Sequence, residues 1–350
     1  MKRDDPKINA LSTLKKPRTD DKKLWDIILG NAGQRTILIA HELKLFPFLA
    51  EKPRSLAEIC EELKIEDRPA RAILGVLVGL EILNSRDGCY SLATIAEDYL
   101  LDSSTNSFCG MLDFMLANQY VTFSYEGFKK AVLTNSPQLY QSDHPFENHK
   151  ETEALARIFT HGMHGHSIAP ALAWPEVLDL SKHKLMLDIG GGSGAHAIGA
   201  IWQWPNLEAI IFEQPPICPV AQEFIEHYGV QDQVKTCSGD MWQDPFPDAD
   251  IHFYSDIFHD WLPEKGRYLT RKSFDSLPSC GRIIIHEMLF DERKTSPLTV
   301  ASYNLAMQVV IEGQQYSGEE LIAMLQESGF IEVEVKATFG YWSIVTGCKP

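Results

Sequence analysis

Apolar and polar positions fall into two regimes along this chain. From residue 24 to about 100 the apolar positions recur at helical spacing, with one helix expected over 40–50, ending in a loop at Lys52-Pro53, and a longer apolar one over 68–83. Between them Ser55, followed by Glu58, has the capping-box spacing that starts a helix. Asn84-Ser85-Arg86-Asp87-Gly88 reads as a turn between two short strands, the second being Tyr90-Ser91-Leu92. Helix, helix, helix, hairpin is a winged-helix layout. From residue 184 the pattern becomes short apolar runs separated by helical stretches, at 185–189, 209–212, 234–237, 251–254, 282–286, 333–338 and 343–346. That alternation predicts an α/β fold with a doubly wound, Rossmann-like sheet.

Between the two regimes, residues 105–175 are helical and aromatic, with Phe108, Phe114, Tyr120, Phe123, Tyr125 and Phe128. Residues 1–23 are polar and mixed in charge and are expected to be a disordered tail. The expected organisation is therefore 1–23 tail, 24–104 winged helix and 105–350 α/β domain. No apolar run reaches the length of a membrane span, and no signal peptide is visible.

Charge decides what the winged helix is for. The chain carries a net −16, and residues 51–100 hold ten acids against six bases. Although Arg68 and Arg71 sit on the third helix, Ala72 to Leu80 is too apolar to face a phosphate backbone. Nucleic acid is disfavoured, and a surface of this kind wants a protein partner, so a homodimer is expected. The seven cysteines are odd in number and show no C-x-x-C, which points to a reducing, cytoplasmic setting without a disulfide framework or zinc site.

The chemistry concentrates at Leu187-Asp188-Ile189-Gly190-Gly191-Gly192-Ser193-Gly194. A buried strand ends in an acid, and a glycine turn lets a ligand approach the backbone at the start of a helix. Gly192 to Ala197 fits the dinucleotide pattern G-x-G-x-x-A, and Glu213 lies where a ribose-binding acid belongs, so NAD is one reading. Asp188 favours another. A fixed carboxylate repels a pyrophosphate but attracts the ammonium and sulfonium of S-adenosylmethionine. Gly239, Asp240 and Met241 end the next strand, where Asp240 can accept from an adenine amine and Met241 can lie against the ring. His259, just beyond the fourth strand, is placed to act as a general base or simply to open a helix. His161, His164 and His166 suggest a metal, but their spacing does not put all three on one face and no carboxylate completes a site, so no metal is expected.

Taken in order, these motifs resemble the class I S-adenosylmethionine-dependent O-methyltransferases of the caffeate and acetylserotonin type. The residues that carry the resemblance are Asp188 to Gly194, Phe212-Glu213-Gln214-Pro215, Gly239-Asp240-Met241, His259-Asp260-Trp261 and, more loosely, Glu312 to Ser317 with Ser328-Gly329-Phe330. The resemblance implies that His259 is the catalytic base and that Glu287 holds it. It implies cofactor contacts from Asp188, Gly190, Gly191, Gly192, Glu213, Gly239, Asp240, Met241, Ser255 and Ser167. Phe159, Met163, Asp260, Asn304, Met307 and Gln315 would face a small aromatic hydroxylated acceptor, with 105–175 lining its site. It also implies that the winged helix is a dimerisation domain. The chain departs from the family pattern where Gln315-Tyr316-Ser317 replaces Glu-Arg-Thr, where Glu213 replaces Asp, and where Ser255 and Asp256 stand in place of a basic residue. An NAD-dependent oxidoreductase, and a dimer that binds the cofactor without turnover, are the alternatives.

Overall fold

The computed structural model describes residues 15–122, 124–139 and 153–350. The expected disordered tail lies outside the described residues as far as residue 14, as does Phe123. A first compact unit ends at Glu97 and a second begins at Asp98.

The first unit contains α1 (Lys22–Glu42), α2 (Leu45–Glu51), β1 (Arg54–Ser55), α3 (Leu56–Leu63), α4 (Asp67–Gly79), β2 (Leu83–Arg86) and β3 (Cys89–Leu92). After them α5 (Thr94–Tyr99) runs across the division between the units. The strands form a small antiparallel sheet in the order β1-β3-β2. The capping box forms as read: the Ser55 hydroxyl accepts from the Glu58 N–H, and the Glu58 carboxylate accepts from the Ser55 N–H at 2.8 Å. Asp87 and Gly88 both have positive φ, 52° and 77°, the geometry that closes a two-residue hairpin.

Two expectations need correction here. The helix expected over 40–50 is two helices, broken at Lys44, whose φ is 56°. The helix expected over 68–83 stops at Gly79, because the chain reverses at Glu81 (φ 61°) to enter β2. The exposed apolar run of this unit therefore lies on α1, where Leu24, Trp25, Ile27, Ile28 and Leu29 are all more than half exposed, at 53% or above. On α4, Ala70, Leu74 and Leu77 are buried within the unit.

The second unit begins with α6 (Cys109–Ala117), α7 (Tyr125–Thr134) and α8 (Glu153–Ala173). Strand and helix then alternate through β4 (Leu185–Ile189), α9 (Ala195–Gln203), β5 (Glu208–Glu213), α10 (Cys218–His227), β6 (Val234–Ser238) and β7 (Ile251–Ser255). The chain finishes with α11 (Pro263–Ser276), β8 (Arg282–Met288), α12 (Leu298–Val310), α13 (Gly318–Ser328), β9 (Ile331–Ala337) and β10 (Trp342–Cys348). Each apolar run read from the sequence overlaps one of these seven strands.

The sheet order is β6-β5-β4-β7-β8-β10-β9, parallel from β6 to β8 and antiparallel at β10 and β9. Helices cover both faces, so β4 and β7 are buried along most of their length without alternation. One face packs Leu187, Ile189, Ile283 and Ile285 against α11 and α13 residues such as Leu269 and Leu325. The other packs Met186, Ile211 and Phe253 against Trp174 and α9. Strand order reverses between β4 and β7, and a crevice opens there at the strands' carboxyl ends.

Candidate active site

That crevice is a cavity of about 280 Å³. Its wall includes Asp188, Gly190, Gly191 and Gly192 after β4, Glu213 ending β5, and Gly239, Asp240 and Met241 after β6. Ser255 and Asp260 come from around the end of β7, and Phe159, Met163 and Ser167 from α8. The strand ends bring these distant sequence blocks together.

The glycines of the turn have different reasons to be glycine. Gly190 and Gly194 have positive φ, 69° and 78°, and a Cβ there would also press on Ile257 at 2.4 Å and Ile211 at 2.3 Å. A Cβ on Gly191 would lie 2.6 Å from the Asp188 carboxyl carbon, which seats the acid directly beneath the turn. Gly192 meets no atom; it has φ 55° and opens on the cavity.

Asp188 is 1% exposed, and its Oδ2 has no hydrogen-bond partner among the described residues. Burial pushes its carboxyl up to about 7. A buried carboxylate oxygen that lacks a partner and lines a cavity suits a cationic group, such as the ammonium of S-adenosylmethionine. Glu213 is fixed by backbone at both oxygens, Oε2 accepting from the Gly192 N–H at 3.3 Å and Oε1 from the Gln214 N–H at 2.7 Å. Burial raises its pKa too. Asp240 holds its own loop, accepting from the Trp242 N–H at 2.8 Å and the Gln243 amide at 3.1 Å.

The remaining named residues form a buried cluster behind this wall. His259 sits in a 3-10 turn (Phe258–Asp260) between Asp256 and Asp260, both of which line the cavity. Its Nδ1 lies 2.9 Å from the Gln315 amide nitrogen, 3.4 Å from Glu287 Oε2 and 3.6 Å from Asp256 Oδ1. Its Nε2 lies 3.4 Å from Asp260 Oδ1. Burial lowers the pKa of His259, and Asp256 opposes that shift. Glu287 Oε1 accepts from the Phe258 and His259 N–H groups at 3.0 and 3.3 Å, so this acid ties the turn to β8 through the backbone.

Asn304 accepts from the Gln315 N–H at 2.8 Å, and Met307 is packed in the core. Asn304 and Met307 on α12 and Gln315 in the loop after it are not among the residues that line the cavity. The ligand atoms of Asp256, His259 and Glu287 come within 4.8 Å of one another, but His259 Nδ1 is already engaged by Gln315 and we assign no metal to them.

Several lining residues were not read from the sequence. Lys265 lines the cavity, crosses the Trp261 ring at 4.1 Å and pairs with Glu312 at 2.7 Å. Trp242, Gln243 and Asp256 line it as well. Only the i, i+4 step from Trp261 to Lys265 was available as a signal. The three α8 histidines separate in space. His164 bonds Ser193 at 2.9 Å and Tyr228 at 3.1 Å and stacks on Phe224, while His166 Nε2 reaches Asp256 Oδ2 at 3.2 Å.

The fold resembles that of S-adenosylmethionine-dependent methyltransferases. Human N-acetylserotonin methyltransferase, solved with S-adenosylmethionine, superposes with a TM-score of 0.83 at 25% identity, over 96% of this chain and 99% of that one. In sequence the chain is 30% identical over 329 residues to the 3-hydroxy-5-methyl-1-naphthoate 3-O-methyltransferase of Streptomyces sahachiroi, covering 93% of this chain and 94% of that protein. It is 29% identical over 336 residues to an L-tyrosine C(3)-methyltransferase of Streptomyces lavendulae, covering 91% of this chain and 88% of that protein. A family model described as an O-methyltransferase domain matches residues 125–331. The chain belongs to this family, the S-adenosylmethionine-dependent O-methyltransferases. Of the two cofactor readings, family membership takes the methyl donor.

Proposed function

We propose that this enzyme methylates a hydroxyl of a small aromatic molecule, phenolic or enolic, with His259 as general base. The observation that carries the reading is the position of His259. It is a buried imidazole between two cavity-wall carboxyl groups, with Nδ1 engaged by Gln315 and Nε2 on the Asp260 side. Bound S-adenosylmethionine supplies a methyl group on a sulfonium. Asp188 faces its ammonium, Glu213 its ribose, and Gly190, Gly191 and Gly192 give it backbone to lie against. Gly239, Asp240 and Met241 border the adenine, with Ser167 and Ser255 completing the contact. Phe159 and Met163 form the apolar side on which a flat acceptor rests, and Asp260 stands at its hydroxyl.

A phenol is mostly protonated at neutral pH, so removing its proton as the oxygen attacks contributes about 10²–10⁴-fold. Turned about its terminal bond, the Gln315 amide presents Oε1, which has no other partner, to an Nδ1–H. That leaves Nε2 to take the proton. Water exclusion by Trp242, Trp261 and Phe159 favours transfer to the acceptor over solvent.

We read the first unit as the self-association module of a homodimer. The support is the exposed apolar run on α1, which would be covered by a second copy. Seven free thiols suit a reducing compartment, and we assign the chain to the cytoplasm. Among the described residues no helix is long and apolar enough to cross a membrane.

The deciding experiment incubates the full-length chain with methyl-labelled S-adenosylmethionine and a panel of phenols, indoles and hydroxyquinones. Label on an acceptor oxygen supports the reading. Label on ring carbon would replace it with the reaction named for the Streptomyces lavendulae relative, and tight cofactor binding without turnover across the panel would favour the non-catalytic dimer.

A further inference from the structure

We infer that His164 is a positioning residue for methyl transfer: its imidazole bridges the glycine turn to α8 and so fixes the spacing between two walls of the cavity. The inference rests on the proposed acceptor site for its effect on turnover, and on family membership alone for its effect on cofactor binding.

Residues 190–194 contain four glycines and one side chain, that of Ser193. The turn therefore offers the rest of the protein a single side-chain handle. From the β5 side the turn is held through its backbone. The Gly190 N–H donates to the Phe212 carbonyl at 2.9 Å, and the Gly192 N–H to Glu213 Oε2 at 3.3 Å. From the α8 side it is held by Ser193 Oγ, which lies 2.9 Å from His164 Nδ1. Both side chains are buried. Ser193 lines the cavity, and so do Met163 and Ser167, which flank His164 on α8. One hydrogen bond thus joins the wall that receives the cofactor to the wall on which the acceptor rests.

The imidazole is itself held in place. Its Nε2 lies 3.1 Å from the hydroxyl of Tyr228, just past α10, and its ring stacks on Phe224 of α10 at 4.0 Å and 18°. Burial pushes its pKa down to about 3, so the ring is neutral and presents one donor and one acceptor. Two hydroxyls, each able to donate or accept, satisfy both nitrogens in either tautomer. A histidine that the α8 pattern offered as a metal ligand is instead a brace.

Packing of α8 does not depend on this bond. A Cβ on Gly199 of α9 would collide with the Ala171 carbonyl oxygen, and one on Gly110 of α6 with that of His161, so both neighbouring helices meet α8 at its backbone. What the bond adds is the position of the turn relative to the helix. That position decides how the sulfonium methyl lines up with the acceptor oxygen, and a misplacement of about 1 Å can cost about a hundredfold in rate.

Substitution separates the two ends of the bridge. Asn places an amide near Nδ1 and Gln places one near Nε2, so His164→Asn keeps the Ser193 end and His164→Gln keeps the Tyr228 end. His164→Phe keeps the stack on Phe224 and removes both. In the full-length protein, S-adenosylhomocysteine affinity by calorimetry should weaken about three- to tenfold in Ser193→Ala and in His164→Phe, as expected for one net hydrogen bond. The double variant should lose no more than either alone, since both changes remove the same bond. His164→Asn should bind within about twofold of wild type, and His164→Gln should bind like His164→Phe. For a phenolic acceptor, kcat should fall in the same order of variants with acceptor KM little changed, because alignment is lost and acceptor contact is not.

Losses that add in the double variant, or equal recovery by Asn and Gln, would overturn the inference, as would wild-type affinity and turnover in folded Ser193→Ala. If His164→Phe does not fold, the Asn and Gln variants decide. A wild-type protein that binds S-adenosylhomocysteine but methylates no acceptor would remove the acceptor reading and leave the affinity test standing.

Discussion

The two halves of the site are built on opposite principles. The cofactor half, from Asp188 to Met241, consists of three short sequence blocks at the ends of β4, β5 and β6. Backbone and glycine do most of the shaping there, and Asp188, whose buried Oδ2 has no partner among the described residues, lines the cavity. The half around His259 draws in Glu287 from β8 and Gln315 from the loop after α12. It is wholly buried, and its state depends on which of its acids keep a proton. In the first half an added Cβ is the sensitive change. In the second the sensitive change is a single oxygen exchanged for an amide.

The sharpest separation of the halves comes from His259→Ala. Turnover should fall about 10²–10⁴-fold while cofactor affinity, read by calorimetry, stays near wild type. An acceptor whose hydroxyl is already ionised should recover much of the loss, and a matching loss of cofactor affinity would dissolve the distinction. On the other side, Gly192→Val should abolish measurable cofactor binding. Its φ of 55° strains a β-branched residue, and the new side chain would occupy the cavity. A stably folded variant with unchanged affinity would sink the cofactor assignment.

Smaller effects probe charge in each half. Burial pushes the Asp188 carboxyl up to about 7, and a cationic ligand favours its ionised form. Affinity should therefore fall about tenfold per pH unit below 7, level off above it, and be accompanied by proton release on binding at pH 6. A flat affinity profile from pH 5.5 to 8 excludes Asp188 as the cation's partner. Last, Gln315→Glu places a carboxylate 2.9 Å from His259 Nδ1, where the amide now stands. If that carboxylate is charged, the acid limb of the pH–rate profile moves up by about one pH unit. An unmoved limb would mean that burial keeps the new acid protonated.

Much of this organisation is written locally. Ser55 and Glu58 sit at capping-box spacing, and the box forms. Asp87-Gly88 supplies the positive φ angles of a hairpin turn. The seven apolar runs become the seven strands, and the Phe159, Met163, Ser167 spacing puts one helix face on the cavity. The exposed face of α1 escaped because Leu24 to Leu29 is nearly continuous in apolar residues, and such a run carries no periodicity to say which side is covered.

Sequence alone determined which segments become strands, which turn admits a ligand, and which acids stand near it, because these depend on side-chain period, glycine geometry and short spacing. Tertiary structure alone decided that β10 inserts antiparallel between β8 and β9, since strand order is a choice among packings that the pattern leaves equal. It also left Asn304 and Met307 out of the cavity wall, brought Lys265 to the cavity, and set His166 against Asp256 from ninety residues away. Charge states in the second half follow from that assembly. A carboxyl keeps or loses its proton according to the burial and partners it meets, and neither is defined until distant elements have closed around it.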